Sequence, residues 1–226
     1  MSTDFIYNPP QDPFLDILYD DEDFIVVNKP SGLLSVPGKK IEHVDSILHR
    51  VRASAPEAQA VHRLDMSTSG VMVVAKNKIT TGIIGKQFQD RKTDKIYYAY
   101  VGGILEQEEG VVNLPLCVDW NNRPLQHVDF ENGREAITHY IKLWNDDKKT
   151  LVRLHPYTGR SHQLRVHMKE LWHPILGDHL YATPEIRAMA PNLYLHAGYL
   201  SFFHPRTNEK LEFRAPPPFE VPIKLY

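Results

Sequence analysis

A chain of 226 residues with 42% apolar and 24% charged side chains and a mean hydropathy of -0.38 can bury a good core, which excludes a disordered or membrane-embedded protein. The opening MSTDFIYNPPQDP lacks the basic start and apolar run of a signal peptide, and no stretch reaches the apolar length that spans a bilayer, so a cytoplasmic protein is expected. The net charge of -2 hides a split: the first 23 residues hold seven acidic side chains and no Lys or Arg, leaving 26 basic against 21 acidic and room for one cationic face.

Phe24 to Val27 reads as a buried strand, stopped by the turn cluster Asn28-Lys29-Pro30-Ser31-Gly32. Val44 to Ala55 has helical spacing and Pro56 ends it. Val71 to Ala75 reads as a strand, Ile79 to Arg91 as a helix and Ile96 to Val101, rich in tyrosine, as a strand. Several short strand candidates follow; Cys117, the single cysteine, can form no internal disulfide or multi-cysteine zinc cage and reads as a packed strand residue. Ala136 to Trp144 and Thr150 to His155 flank a polar turn and read as a hairpin. Ser161 is placed to cap a helix running to about Trp172, and strands at Tyr194 to Phe203 and Leu211 to Arg214 close the chain. Strands in runs, rather than in alternation with helices, predict an α+β fold with a mixed, largely antiparallel central sheet and flanking helices. With no repeat or linker and the Pro-rich pieces at the ends, the expected layout is an acidic extended segment 1–23, a catalytic domain 24–215 and a Pro-rich tail 216–226.

Two segments could carry chemistry. His62-Arg63-Leu64-Asp65-Met66-Ser67-Thr68-Ser69-Gly70 packs charged and small polar residues into a loop directly before a strand, although Asp65 as a turn former with Arg63 in a surface pair is the bland alternative. His155 to His167 holds two arginines and three histidines in thirteen residues, with His162 and Arg165 on neighbouring turns of one helical face. It has neither HExxH nor a paired Cys/His pattern, so no metal and no cofactor is expected. A serine hydrolase built on Ser67 or Ser69 with His62 lacks the G-x-S-x-G elbow.

HRLDMSTSG, then KIYYAYVGG, LHPYTGRSHQLRVHM, HPILGD and LYLHAGYLSFFHP, with the early NKPSGLLSVPG, resemble the RluA family of pseudouridine synthases in order and over nearly the whole chain. The opening YNPPQDPF is similar to the family's short members that act on both 23S rRNA and tRNA. The resemblance implies the pseudouridine synthase fold around one catalytic cleft, and isomerisation of uridine to pseudouridine without a cofactor. By the same resemblance the essential aspartate falls on Asp65, the tyrosine that holds the detached uracil on Tyr97, the arginine that keeps the carboxylate ionised on Arg165, and the side chain inserted where the target nucleotide is flipped out on Arg63. His62, Arg160 and His162 join Arg63 as RNA-binding candidates, and Lys39, Lys40, Arg50, Arg52, Lys86, Arg91 and Lys92 join Arg160 as phosphate contacts. The implied partners are hairpin loops of 23S rRNA and tRNA, met by a monomer. The alternative is a non-catalytic RNA-binding module of the same fold, which would be expected to lose the Asp65, Tyr97 and Arg165 set.

Overall fold

The computed structural model describes Tyr7 to Leu225, so Asp4 of the acidic opening and Tyr226 of the tail lie outside the described residues. The chain divides into two compact units: one reaches to Asp94 and takes in Leu200–Ala215, and the other is Lys95–Tyr199 with the residues from Pro216 on.

In the first unit β1 (Ile17–Asp20) pairs antiparallel with β2 (Phe24–Lys29), which pairs antiparallel with β4 (Ser69–Ala75). The two-residue β3 (Gln59–Ala60) also lies on β4. Phe24, Val26, Val71 and Val73 from the strands pack with Ile84 of the helix α2 (Lys78–Gln89) and with Leu200 and Phe202. Both faces of β2 and β4 are covered, which is why each reads as a continuous apolar run rather than as alternation. The helix expected over 44–55 is shorter, α1 (Ile47–Val51), because Ser46 accepts from the His49 amide at 3.2 Å and starts it there. The register sets Lys29, the last residue of β2, opposite Gly70, so the loop 62–68 enters β4 directly beside the turn that leaves β2.

In the second unit β5 (Asp94–Gly102), β6 (Glu109–Asn113), β9 (Ile137–Asn145) and β10 (Lys149–Pro156) pair in the order β5-β10-β9-β6, all antiparallel. The expected hairpin is the pair β9 and β10. Strands β7 (Leu116–Val118) and β8 (Gln126–Val128) form a separate two-stranded ribbon, and Cys117 is a half-buried residue of β7. Leu164 and Met168 of α3 (Gln163–Glu170) pack on Ala99, Val152 and Leu154. After the short α4 (Pro184–Ala188), β11 (Leu195–Phe203) leads back into the first unit, where β12 (Lys210–Arg214) pairs with it. The fold is α+β, with a mixed, mostly antiparallel sheet and few helices.

Two local expectations are revised. Ser161 does not cap α3; the capping position is His162, with φ 55° and ψ 14° in the left-handed region and no side-chain cap bond. The backbone turns there so that the His162 ring reaches Tyr181, and Ser161 falls one residue too early and is exposed. Residues 216–225, expected as a tail, pack on the second unit: Phe219 is buried against Tyr100, and the Tyr98 and Tyr100 hydroxyls donate to the carbonyls of Leu225 and Glu220. No helix among the described residues is long and apolar enough to cross a membrane.

Candidate active site

Asp65 is half-buried at the middle of a loop whose backbone is held from below by the turn that follows β2. Lys29, fully buried, donates through Nζ to the carbonyls of Leu33 (2.6 Å), Met66 (2.9 Å) and Pro30 (3.0 Å). The Gly32 amide donates to the same Met66 carbonyl at 2.9 Å, from a left-handed backbone (φ 89°) that glycine adopts without strain. Ser31 Oγ donates to the Ser67 carbonyl at 2.8 Å, and Ser35 Oγ donates to the Leu64 carbonyl at 2.6 Å while accepting from the Leu64 amide. The carbonyls of Leu64, Met66 and Ser67 are thus all fixed by residues 29–35. At about 1 kcal/mol net for an ordinary hydrogen bond and roughly twice that for a charged donor, this set holds the loop without drawing on the Asp65 side chain.

Burial pushes the Lys29 ammonium down to about 7, and the opposing influence is the negative charge of Asp65. Arg63, two residues before Asp65, is exposed. His62 faces inward: its Nε2 accepts from the Val73 amide at 3.0 Å and its ring stacks on Phe88, 4.5 Å between centroids. That is a packing role, fastening the loop to β4 and α2.

In the second unit Arg165 is buried and makes a two-pronged pair with buried Asp178: Nε to Oδ2 at 2.8 Å and Nη2 to Oδ1 at 2.7 Å. Asp178 also accepts from the amides of Leu180 and Tyr181, and the guanidinium lies 5.1 Å from the centre of the Tyr181 ring. The Tyr181 hydroxyl accepts from the Gln126 amide of β8 at 2.9 Å and lies 2.6 Å from His162 Nδ1. Arg160 is tied at the other side, with Nε on the Glu135 carbonyl at 2.9 Å and its amide on Gln163 Oε1 at 3.0 Å. His162 and Arg165 thus meet at Tyr181 near the start of α3, while the Arg160 side chain is tied to Glu135.

Tyr97 stands apart from its two neighbours. Strand alternation sends Tyr98 and Tyr100 into one face, where both are buried, while Tyr97 is half-buried on the other, against the cluster that contains Ala99 and Leu164. The three histidines of 155–167 are divided among different tasks, so they do not converge as metal ligands. His167 bridges Thr138 Oγ1 and the Leu114 carbonyl, with burial holding its pKa down; His162 meets Tyr181; the His155 ring lies against Tyr157. One group with metal-like spacing exists among the described residues, Asp21, Asp23 and His204. Asp21 already accepts from Tyr19, His204 and two amides, and Asp23 is paired with Arg206.

Three residues of these surroundings were not singled out from the sequence. Lys29 and Asp178 lie in NKPSGLLSVPG and HPILGD, segments noted only as motifs, and nothing in the sequence marks Tyr181.

The family model described as RNA pseudouridylate synthase matches residues 23–170. The dual-specificity RNA pseudouridine synthase RluA of Vibrio cholerae is 57% identical over 202 residues, 89% of this chain and 82% of the relative. The protein of the same name from Escherichia coli K12 is 53% identical over 214 residues, 94% of this chain and 98% of the relative. Among solved structures, human RNA pseudouridylate synthase domain containing 1 superposes with a TM-score of 0.75 at 30% identity, covering 97% of this chain and 88% of that one. Human RNA pseudouridylate synthase domain containing 4 gives 0.73 at 28% identity, covering 90% and 88%.

Proposed function

The chain belongs to the RNA pseudouridylate synthase family and is an RNA pseudouridine synthase of the RluA type, and from that premise we propose that it acts on two RNA classes, at uridine 746 of 23S rRNA and uridine 32 of tRNA anticodon stem-loops. The relatives' dual specificity supports two classes, and hairpin loops suit the chemistry because an unpaired base costs less to turn out than a stacked one.

The reaction breaks the bond from ribose C1′ to uracil N1, rotates the base and rejoins it through C5, with nothing gained or lost. It needs a carboxylate, as nucleophile at the base or sugar or as base at C2′, and in our reading that group is Asp65. The observation that carries this reading is the fixed Asp65 loop: a group that must meet a glycosidic bond at bonding distance gains most from a backbone that does not move. Arg165 supplies the fixed cation, in a guanidinium plane already set by Asp178. Tyr97 holds the detached uracil flat and takes its C5 proton; its half-buried place on the face of β5 opposite the buried Tyr98 and Tyr100 favours it over them. Arg63, exposed beside Asp65, fills the gap in the RNA, and the enzyme works as a monomer.

Tritium release from uracil C5-labelled 23S rRNA and tRNA transcripts tests the reading, with Asp65→Asn as control. Release from both RNAs by the wild type alone is expected. Release from neither would sink the substrate assignment, and release by the mutant would sink the role of Asp65.

A further inference from the structure

Outside the groups described so far, the β7–β8 ribbon presents an unusual surface. Trp120 at its tip is 68% exposed and Phe130, in the turn after β8, is 77% exposed. The guanidinium carbon of Arg123 lies 3.8 Å from the centre of the Trp120 ring, a closely stacked cation and aromatic.

The tip is rigid. Asp119 accepts through Oδ1 from the amides of Asn121 and Asn122 and through Oδ2 from the Asn122 side chain, and the Asp119 amide closes the turn on the Leu125 carbonyl. Asp129 does the same for Glu131 and Asn132 in the next turn. These bonds, the Asn122 side chain foremost for Asp119 and the Asn132 amide for Asp129, hold both carboxyls below the usual carboxylate range. The Asp119 and Asp129 carboxylates are thus engaged by the turns they close and stay ionised, and Glu131 beside Phe130 is exposed. What the tip offers outward is a flat apolar ring backed by a cation, with the exposed His127 nearby. The base of the ribbon is anchored where the Gln126 amide donates to Tyr181, the residue beneath Arg165.

We propose that this ribbon is a second RNA contact, in which the Trp120 indole, backed by Arg123, stacks on an unpaired base of the substrate other than the reacting uridine. The proposal rests on the hairpin-loop reading above. A flat indole offers stacking to any base face, and the Arg123 fork suits phosphate or base acceptors. An apolar protein partner would instead have to bury that charge unpaired. Because the tip is ordered before binding, little conformational freedom is lost when the base arrives.

The test is a kcat and KM comparison on the 5-tritiated anticodon stem-loop for wild type, Trp120→Ala, Trp120→Phe and Arg123→Gln, with Asp65→Asn as the inactive control. Trp120→Ala should raise KM about tenfold and leave kcat within about a factor of two, as expected for one lost base stack. Trp120→Phe should recover most of the loss, and Arg123→Gln should flatten the salt dependence of KM by about one unit of slope. A Trp120→Ala KM within about a factor of two of wild type would overturn the proposal while the enzyme reading stands. A wild type inert on the stem-loop and on the 23S hairpin, no better than Asp65→Asn, would remove the substrate reading and this proposal together.

Discussion

The loop that carries Asp65 and the helix that carries Arg165 are made rigid in opposite ways. Around Asp65 the loop is held through its backbone, at the carbonyls of Leu64, Met66 and Ser67. Around Arg165 the support is the side chain itself, locked to Asp178 and resting on Tyr181. A substitution in the first region should therefore read out as chemistry, whereas one in the second should mix chemistry with stability.

The sharpest break between the two is a pair of variants. Asp65→Asn should lower turnover at least about a thousandfold while shifting the melting temperature by no more than a few degrees, because the side chain stays close in size and the loop backbone is held by residues 29–35; turnover and calorimetry on one preparation check this. Asp178→Asn leaves Arg165 buried without its counter-charge, and breaking such a pair costs about 3–5 kcal/mol. Denaturant unfolding of that variant should show the loss directly. Equal stability losses in the two variants would erase the distinction.

The sequence marks the reacting groups better than what holds them. Asp65, Tyr97 and Arg165 stand in compact motifs of charged and aromatic residues, and strand alternation separates Tyr97 from Tyr98 and Tyr100. The long strands and the β9–β10 hairpin follow from apolar runs and a polar turn. The supports are long-range: Lys29 reaches a carbonyl 37 residues away, and Arg165 a carboxylate 13 residues away, separations at which no periodicity speaks. Ser161 shows the opposite failure. A local capping preference pointed to it, but the contact between His162 and Tyr181, which depends on tertiary structure, moved the helix start by one residue.

Lys29 sharpens the comparison further, since it is a buried charged donor in the Asp65 cradle. Lys29→Met removes one donor from three carbonyls and should cost about 3 kcal/mol of stability. The pH dependence identifies the cause. The folded chain releases the Lys29 proton near pH 7 and the unfolded chain near pH 10, so between those values the unfolded state binds more protons. The cost of burying the ammonium is therefore full below pH 7 and fades as the pH rises toward 10. Wild-type stability relative to Lys29→Met should increase across that window, measured by chemical denaturation at a series of pH values; a flat difference would mean that the folded amine stays charged throughout, and would overturn the lowered pKa.

The smallest effect belongs to Tyr181. Tyr181→Phe keeps the ring under Arg165 and removes only the hydroxyl that accepts from the Gln126 amide and meets His162 Nδ1. One hydrogen-bonded group is worth about 1 kcal/mol, so stability should fall by roughly that amount. The Asp178 pair keeps the guanidinium plane, so kcat should drop only a few-fold. The ribbon, however, loses the hydrogen-bonded link through Tyr181 to His162, while Leu116 and Val128 still pack on Val166 of α3. If the ribbon binds RNA, Tyr181→Phe should raise KM more than it lowers kcat, and combining it with Trp120→Ala should add less than the two separate effects, because both changes act on the same contact. Full additivity would mean that the ribbon and the Arg165 segment work independently, and the Tyr181 hydroxyl would then be a packing bond of the second unit and no more.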